Sequence, residues 1–165
     1  MSAPKSSLPN KPIASERVRS TDLPVVWIMM LGLIVAVGPL SIDMYLPALP
    51  SMADDFGVST AFMANSVPAY FLGLVFGQLF YGPFSDRVGR VKPLYIGMTL
   101  YVIASIICAT TDNEYVLFVG RTMQALGACV GAVVTRAAIR DRLTAKQTAK
   151  AFSITHLVIG LAPIL

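Results

Sequence analysis

Two stretches of about twenty residues without a charged side chain flank the short segment Gly82–Leu94, and this arrangement constrains the fold most. About 20 apolar residues are enough for one helix to cross the hydrocarbon core of a bilayer. The segment between them, GPFSDRVGRVKPL, holds two glycines, one acid and three bases and is too short to form a domain. The sequence therefore predicts an all-α membrane protein in which short charged connections join spanning helices.

The composition agrees with a membrane protein and excludes other classes. Charged residues make up 13% of the chain and hydrophobic residues 55%, with a mean hydropathy of +0.68. Soluble domains carry about 25% charged residues, so a soluble enzyme is excluded. The net charge of +4 does not indicate nucleic acid, because the bases cluster beyond the ends of apolar stretches, where lipid headgroups lie. Cys108 and Cys129 lack disulfide or metal-ligand spacing, and no cofactor is expected.

Four complete spans and an incomplete fifth are predicted, over residues 23–49, 60–82, 93–110, 115–136 and 145–165. Residues 1–21, rich in Ser, Pro and Lys, are predicted to be a flexible tail. The apolar part of the fifth span, residues 151–165, covers roughly 22 Å of helix, less than a core of about 30 Å. We therefore expect the chain to end inside a membrane helix and residues 22–165 to form an incomplete bundle.

Lysine and arginine are distributed unequally between the two sides of these spans. Twelve of the thirteen bases fall in the tail or in the connections after the second and fourth spans. The other connections hold four acids and no base: Asp54, Asp55, Asp112 and Glu114. Since cytoplasmic loops carry an excess of Lys and Arg, the tail and both basic connections are predicted to lie in the cytoplasm.

Asp43 in the first span and Arg121 in the fourth are the only charges well inside the four complete spans, away from their ends. A charge at the centre of a membrane costs at least about 2.5–3.5 kcal/mol, so such residues are functional candidates. Both lie roughly 10 Å from the outer helix ends, at about 1.5 Å per residue, and can pair if the two helices are neighbours. One interpretation is a static ion pair. The other is proton coupling, in which a changing distance between Asp43 and Arg121 loads and unloads a proton.

Glycines and prolines are expected to shape the helices. Four glycines have small-xxx-small spacing in the second and fourth spans: Gly73, Gly77, Gly127 and Gly131. Such spacing allows close helix packing, although it is common in membrane proteins. Pro39, Pro47 and Pro50 should kink the first span or bend its end.

The segment Gly82–Arg90 is expected to turn the chain, because glycine adopts a positive φ without strain. Asp86 could cap a helix N-terminus, and Arg87 and Arg90 could bind acidic partners or lipid phosphates. The alternative for these bases is a simple orientation signal.

This segment resembles the signature of the major facilitator superfamily, GxLaDrxGrkxxL. Six residues match it: Gly82, Asp86, Arg87, Gly89, Arg90 and Leu94. Phe84 replaces a leucine, and Val91 stands where a base is usual.

Three further strings resemble motifs of the family's drug:proton antiporters. FVGRTMQALGACVGA resembles their helix 4 motif through Arg121, Gln124 and Gly127. SIDMYLPALP, residues 41–50, is most similar to the bicyclomycin- and chloramphenicol-resistance branch. The ending GLAPIL resembles the start of the helix 5 antiporter motif, in which Pro163 fits and the rest is cut off.

The resemblance implies a twelve-helix fold of two six-helix halves with alternating access around a midplane site. It further implies a bacterial inner-membrane protein that exports small amphipathic drugs in exchange for protons. Asp43 and Arg121 would couple protons, and the segment around Asp86 would latch onto the second half. Because that C-terminal half is missing, we expect these 165 residues alone to be inactive. Two alternatives remain, a proton-coupled metabolite symporter and a non-transporting scaffold or assembly subunit.

Overall fold

The computed structural model of the protein describes residues 25–161, and every regular element within that range is a helix. These elements are α1 (Val25–Asp43), a 3-10 turn (Leu46–Ala48), α2 (Leu49–Asp55), α3 (Thr60–Ala64), α4 (Ser66–Val88), α5 (Val91–Thr110), α6 (Glu114–Arg142) and α7 (Ala145–Leu161). The predicted tail, residues 1–21, lies outside the described residues, as do residues 162–165.

Four segments of the described range are long and apolar enough to cross a membrane: Val25–Asp55, Thr60–Val88, Val91–Thr110 and Glu114–Arg142. They confirm the prediction of an all-α membrane protein with four complete spans. Large apolar side chains cover the outside of α4 and α5, for example Phe76, Phe80 and Ile106, each more than half exposed. Such surfaces are suited to lipid rather than to water.

The first span, predicted over residues 23–49 with a kink or a bend at its end, is broken after Asp43. α1 ends at Asp43, and the chain turns before it resumes as the 3-10 turn and α2. Pro47 and Pro50 occupy the first turns of these two elements, where the missing N–H of proline removes no helical hydrogen bond. The predicted bend at the end of this span is therefore confirmed, and the helical path continues as far as Asp55.

α6 is the central helix of the described bundle. About half of its span is buried (56%), whereas the other three spans are 17 to 28% buried. α4, α5 and α1 all pack against it. α7 packs mainly along α1, where Ile28 and Leu31 form a cluster with Ile139 and Ala151.

Two glycines of α6 allow its close approach to α5 and α1. A Cβ atom built on Gly127 would lie 2.6 Å from the backbone nitrogen of Tyr101 in α5. A Cβ atom built on Gly131 would lie 2.8 Å from the carbonyl oxygen of Ile34 in α1. Real Cβ atoms do not tolerate such contacts with backbone, so these helices can pack at this distance only around glycine.

The interface between α4 and α6 also packs closely around glycine, and here α4 supplies the glycines. Gly73 of α4 faces the carbonyl of Thr122, and a Cβ atom built on Gly77 would lie 2.9 Å from the Cβ of Cys129. The predicted small-xxx-small spacing therefore marks real helix contacts. Cys129 is a buried packing residue at this interface.

Replacing Gly127 with alanine should force α5 and α6 apart and destabilise the bundle by about 1–3 kcal/mol, as overpacking does. The measurement is the loss of helical circular dichroism while the protein in mild detergent is titrated with sodium dodecyl sulfate. Gly160→Ala is the matched control, because a Cβ at this helical position would meet no atom within 4 Å. Equal unfolding of both variants would contradict the packing assignment.

Candidate functional site

Arg121 is buried in the middle of the bundle with only 4% of its surface exposed. Its Nη1 donates to Oε1 of Gln124, one turn further along α6, at 2.5 Å. Its Nη2 donates to the backbone carbonyl of Ser41 in α1 at 3.3 Å. Among residues 25–161 the Nε–H has no hydrogen-bond partner. Arg121 is therefore a buried cation whose own hydrogen-bonding capacity is only partly used.

The Ser41 carbonyl is available to Arg121 because of the break in α1. In a continuous α-helix this carbonyl would accept the N–H of Tyr45, four residues later. Here the N–H of Tyr45 donates to Ile42 at 3.0 Å instead. The last carbonyls of a helix lack intrahelical partners and carry partial negative charge. Arg121 donates a hydrogen bond to one of these carbonyls, that of Ser41.

Two tyrosine rings enclose the guanidinium group of Arg121. Its Cζ atom lies 3.9 Å from the ring centroid of Tyr45 and 4.7 Å from that of Tyr70. Both rings are buried. The hydroxyl of Tyr70 donates to the carbonyl of Gly38 at 3.1 Å, which ties α4 to α1.

Further polar side chains link this site to α5. Nε2 of Gln124 donates to Oγ of Ser105 at 2.8 Å. The hydroxyls of Ser41 and Tyr101 lie 2.6 Å apart and share a hydrogen bond. Gln124 thus hydrogen-bonds to Arg121 through its Oε1 and to Ser105 of α5 through its Nε2. Gly127, the third residue of the helix 4 motif, instead allows α5 and α6 to pack closely.

Asp43 does not pair with Arg121, which corrects the expected ion pair. Asp43 is exposed, and within residues 25–161 the only ion pairs are those of Arg90. The two helices are neighbours as expected, so the cause is helical phase. The hydroxyl of Ser41 contacts Tyr101 of α5, so this face of α1 turns toward the bundle. Asp43 comes two residues later in α1, roughly 200° around the helix at about 3.6 residues per turn, and it is exposed.

The segment Gly82–Arg90 turns the chain with one glycine instead of two. Gly89 has a φ of 88°, a conformation that favours glycine. Gly82 lies inside α4, where a Cβ atom would meet nothing within 4 Å. The expected turning role of Gly82 was therefore wrong, because α4 continues as far as Val88.

Arg90 joins the end of α4 to the end of α6. Its Nη1 donates to Oδ1 of Asp86 at 2.7 Å and to Oγ of Ser85 at 2.9 Å. Its Nε donates to Oδ2 of Asp141 in α6 at 3.0 Å. Hydrogen bonds to Asp141 and then to Asp86 raise the pKa of Arg90 above its usual value, so it stays charged. Asp86 lies in the last turn of α4 and does not cap a helix N-terminus, which corrects that expectation. Arg87 is exposed and forms no ion pair within the described residues.

The sequence reasoning missed Asp141 and the tyrosines around Arg121. Asp141 is the one acid in the string Arg140-Asp141-Arg142, and this isolated position among bases could have indicated a partner for Arg90. Pro163, the residue assigned to the helix 5 motif, lies outside the described residues.

An apolar groove of about 450 Å³ separates α1 from α5. It is lined by Leu33, Ile34, Val37, Leu94, Tyr95 and Met98. No charged side chain lines it, and Arg121 is not part of it.

Comparison with known proteins supports the resemblance seen in the sequence. Residues 31–165 match the profile of the Major Facilitator Superfamily. The chain is 39% identical over 135 residues to the uncharacterized MFS-type transporter YdgK of Bacillus subtilis, covering 82% of this chain and 34% of that protein. It is 37% identical over 150 residues to multidrug resistance protein D of Escherichia coli, covering 91% and 37%. Multidrug resistance protein MdtL of Klebsiella pneumoniae is 35% identical over 132 residues, covering 80% and 34%. The chain therefore spans about a third of the length of these curated relatives.

Replacing Arg90 with alanine should loosen the turn between α4 and α5 with little loss of global stability. Both acids that it binds are more than half exposed, and exposed ion pairs contribute about 0–1 kcal/mol. We expect faster hydrogen–deuterium exchange in residues 85–92, measured by mass spectrometry in nanodiscs. Arg87→Ala is the control and should leave exchange unchanged. Identical exchange in the two variants would show that the Arg90 contacts do not order this turn.

Proposed function

The chain belongs to the Major Facilitator Superfamily, and from this membership we propose that it carries the proton-coupling helices of a multidrug:proton antiporter in a bacterial inner membrane. Two of the three relatives described above are named multidrug resistance proteins. The proposed substrates are small amphipathic drugs, exported in exchange for protons. The lipid bilayer surrounds the apolar outer faces of the helices.

The observation that carries this proposal is the buried Arg121, which has no acidic partner within the described residues. A cation inside a membrane bundle is costly and is retained where it serves transport. Arg121 contacts α1 directly through Ser41, so a movement of α1 changes its surroundings. A static ion pair, the structural alternative for Asp43 and Arg121, finds no support in this geometry.

The proposed coupling step exchanges the partners of Arg121. Rotation of the end of α1 by roughly half a turn, at about 3.6 residues per turn, would replace Ser41 and Tyr45 with Asp43. A carboxylate beside a cation favours its ionised form, so Asp43 releases its proton when it reaches Arg121 and takes one up when it leaves. One charge moved through about 100 mV supplies about 2.3 kcal/mol, enough to concentrate a drug roughly fifty-fold.

We further propose that the cytoplasmic cluster of Asp86, Arg90 and Asp141 is a latch for the second half of the transporter. Arg90 holds the ends of α4 and α6 together through both acids. The exposed Arg87 remains free to bind an acidic group on the partner half. Gly82 and Gly89 frame this latch, with Gly89 at its turn.

Asp43→Asn should abolish proton-coupled drug transport while the protein still inserts into the membrane, because asparagine cannot exchange a proton. Drug-dependent proton release is measured in inverted membrane vesicles that contain the protein as its native gene encodes it. Asp55→Asn, at the exposed end of α2, is the matched control and should retain coupling. Normal coupling in Asp43→Asn would refute the proposal. A proton-driven metabolite symporter would instead show proton uptake together with its substrate.

The proposed orientation places the tail and the connections after α4 and α6 in the cytoplasm. Eight bases lie at that end in the described residues: Arg87, Arg90, Lys92, Arg136, Arg140, Arg142, Lys146 and Lys150. Alkaline phosphatase, which is active only outside the cytoplasm, should be active when fused after Gly57 and inactive when fused after Gly89. The reverse pattern would overturn the orientation.

A further inference from the structure

The cation of Arg121 is held by aromatic faces and backbone instead of by an acid. The rings of Tyr45 and Tyr70 and the carbonyl of Ser41 contact the guanidinium, and within residues 25–161 no acid pairs with it. We propose that Tyr45 and Tyr70 are positioning residues that form an aromatic clamp. The clamp keeps Arg121 charged and leaves its Nε–H free for an incoming carboxylate. This inference rests on the proposed coupling role of Arg121.

The two rings are themselves held in place, which is what a clamp requires. The hydroxyl of Tyr45 shares a hydrogen bond with Oγ of Ser66 at 2.7 Å. The hydroxyl of Tyr70 donates to the carbonyl of Gly38 at 3.1 Å. Tyr45 follows α1, Tyr70 belongs to α4 and Arg121 to α6, so the clamp joins three helical segments.

An aromatic face stabilises a cation in a way that a carboxylate does not. The ring quadrupole attracts the guanidinium, and this attraction grows when water is excluded. The ring neither carries a net charge nor exchanges a proton at neutral pH, so the charge of Arg121 is not neutralised. A permanent carboxylate partner would neutralise it and would compete with Asp43.

The clamp and Asp43 belong to the same short segment. Tyr45 comes two residues after Asp43, just beyond the end of α1, and its ring contacts Arg121 whereas Asp43 is exposed. A rotation that brings Asp43 to Arg121 therefore removes the Tyr45 ring at the same time. Asp43 therefore displaces the Tyr45 ring from Arg121, and the unpaired Nε–H of Arg121 is the donor that remains available to the Asp43 carboxylate.

The test varies the electron density on the face of the ring while the shape of the ring is kept. Phenylalanine and its mono-, di- and trifluorinated analogues are incorporated at position 45, and separately at position 70, of the full chain in nanodiscs. Fluorine withdraws electron density from the ring face and weakens cation–π attraction with little change in size. Modification of Arg121 by phenylglyoxal is followed by mass spectrometry, with the exposed Arg136 as an internal reference.

We expect the modification rate of Arg121 to rise with each added fluorine, by roughly three- to tenfold across the series, in line with cation–π strength. The same series at Tyr95, which is 73% exposed on α5, should leave the rate unchanged. A flat series at both position 45 and position 70 would overturn the clamp. Modification of Arg121 in the wild-type protein at the same rate as Arg136 would also overturn the clamp. Position 70 decides alone if variants at position 45 fail to fold, because the Tyr70 ring contacts Arg121 from a different helix, α4.

This readout separates the clamp from the proposed function. Chemical modification requires no transport, so a graded series without drug-dependent proton release would support the clamp and refute antiport. Coupled transport together with a flat series would support antiport and refute the clamp.

Discussion

The close packing of three helices around α6 is the constraint on which the rest of this structure depends. In a membrane, helices gain little from the hydrophobic effect on meeting each other, so van der Waals contact and hydrogen bonds have to hold them. Glycines supply that contact where α6 meets α4, α5 and α1. The same proximity brings a carbonyl of α1 and a tyrosine ring of α4 against Arg121, and a serine hydroxyl of α5 against Gln124. The close arrangement of helices around α6 therefore accounts for both the helix packing and the polar site.

The two charged clusters use this scaffold differently. Arg121 is buried, and each of its polar contacts counts strongly because an unpaired buried polar group is costly. Around Arg90 the acids are exposed, and the contacts organise a turn more than they stabilise the fold. The chain belongs to a family of transporters, and its described residues contain one buried cation and one exposed charged cluster.

The sequence predicted what depends on long-range composition and missed what depends on helical phase. Four long apolar stretches identified four spans, and the one base well inside them, Arg121, is the buried cation. Gly89 was found because its positive φ is a local property. The orientation of Asp43 was missed, although its two-residue spacing from Ser41 within α1 carried that information. Tyr45 and Tyr70 could not be recognised, because a tyrosine that packs against a cation looks the same in sequence as one that faces lipid.

The break after Asp43 ties the shape of the first span to the state of Arg121. Straightening the helix would return the Ser41 carbonyl to the N–H of Tyr45, which now donates to Ile42. Arg121 would then lose its backbone acceptor in α1, and the guanidinium would have to find another. The bent helix and the bound arginine thus stabilise each other, and each is destabilised when the other changes. The hydrogen bond from Arg121 to Ser41 therefore couples the backbone path after α1 to the environment of the buried cation.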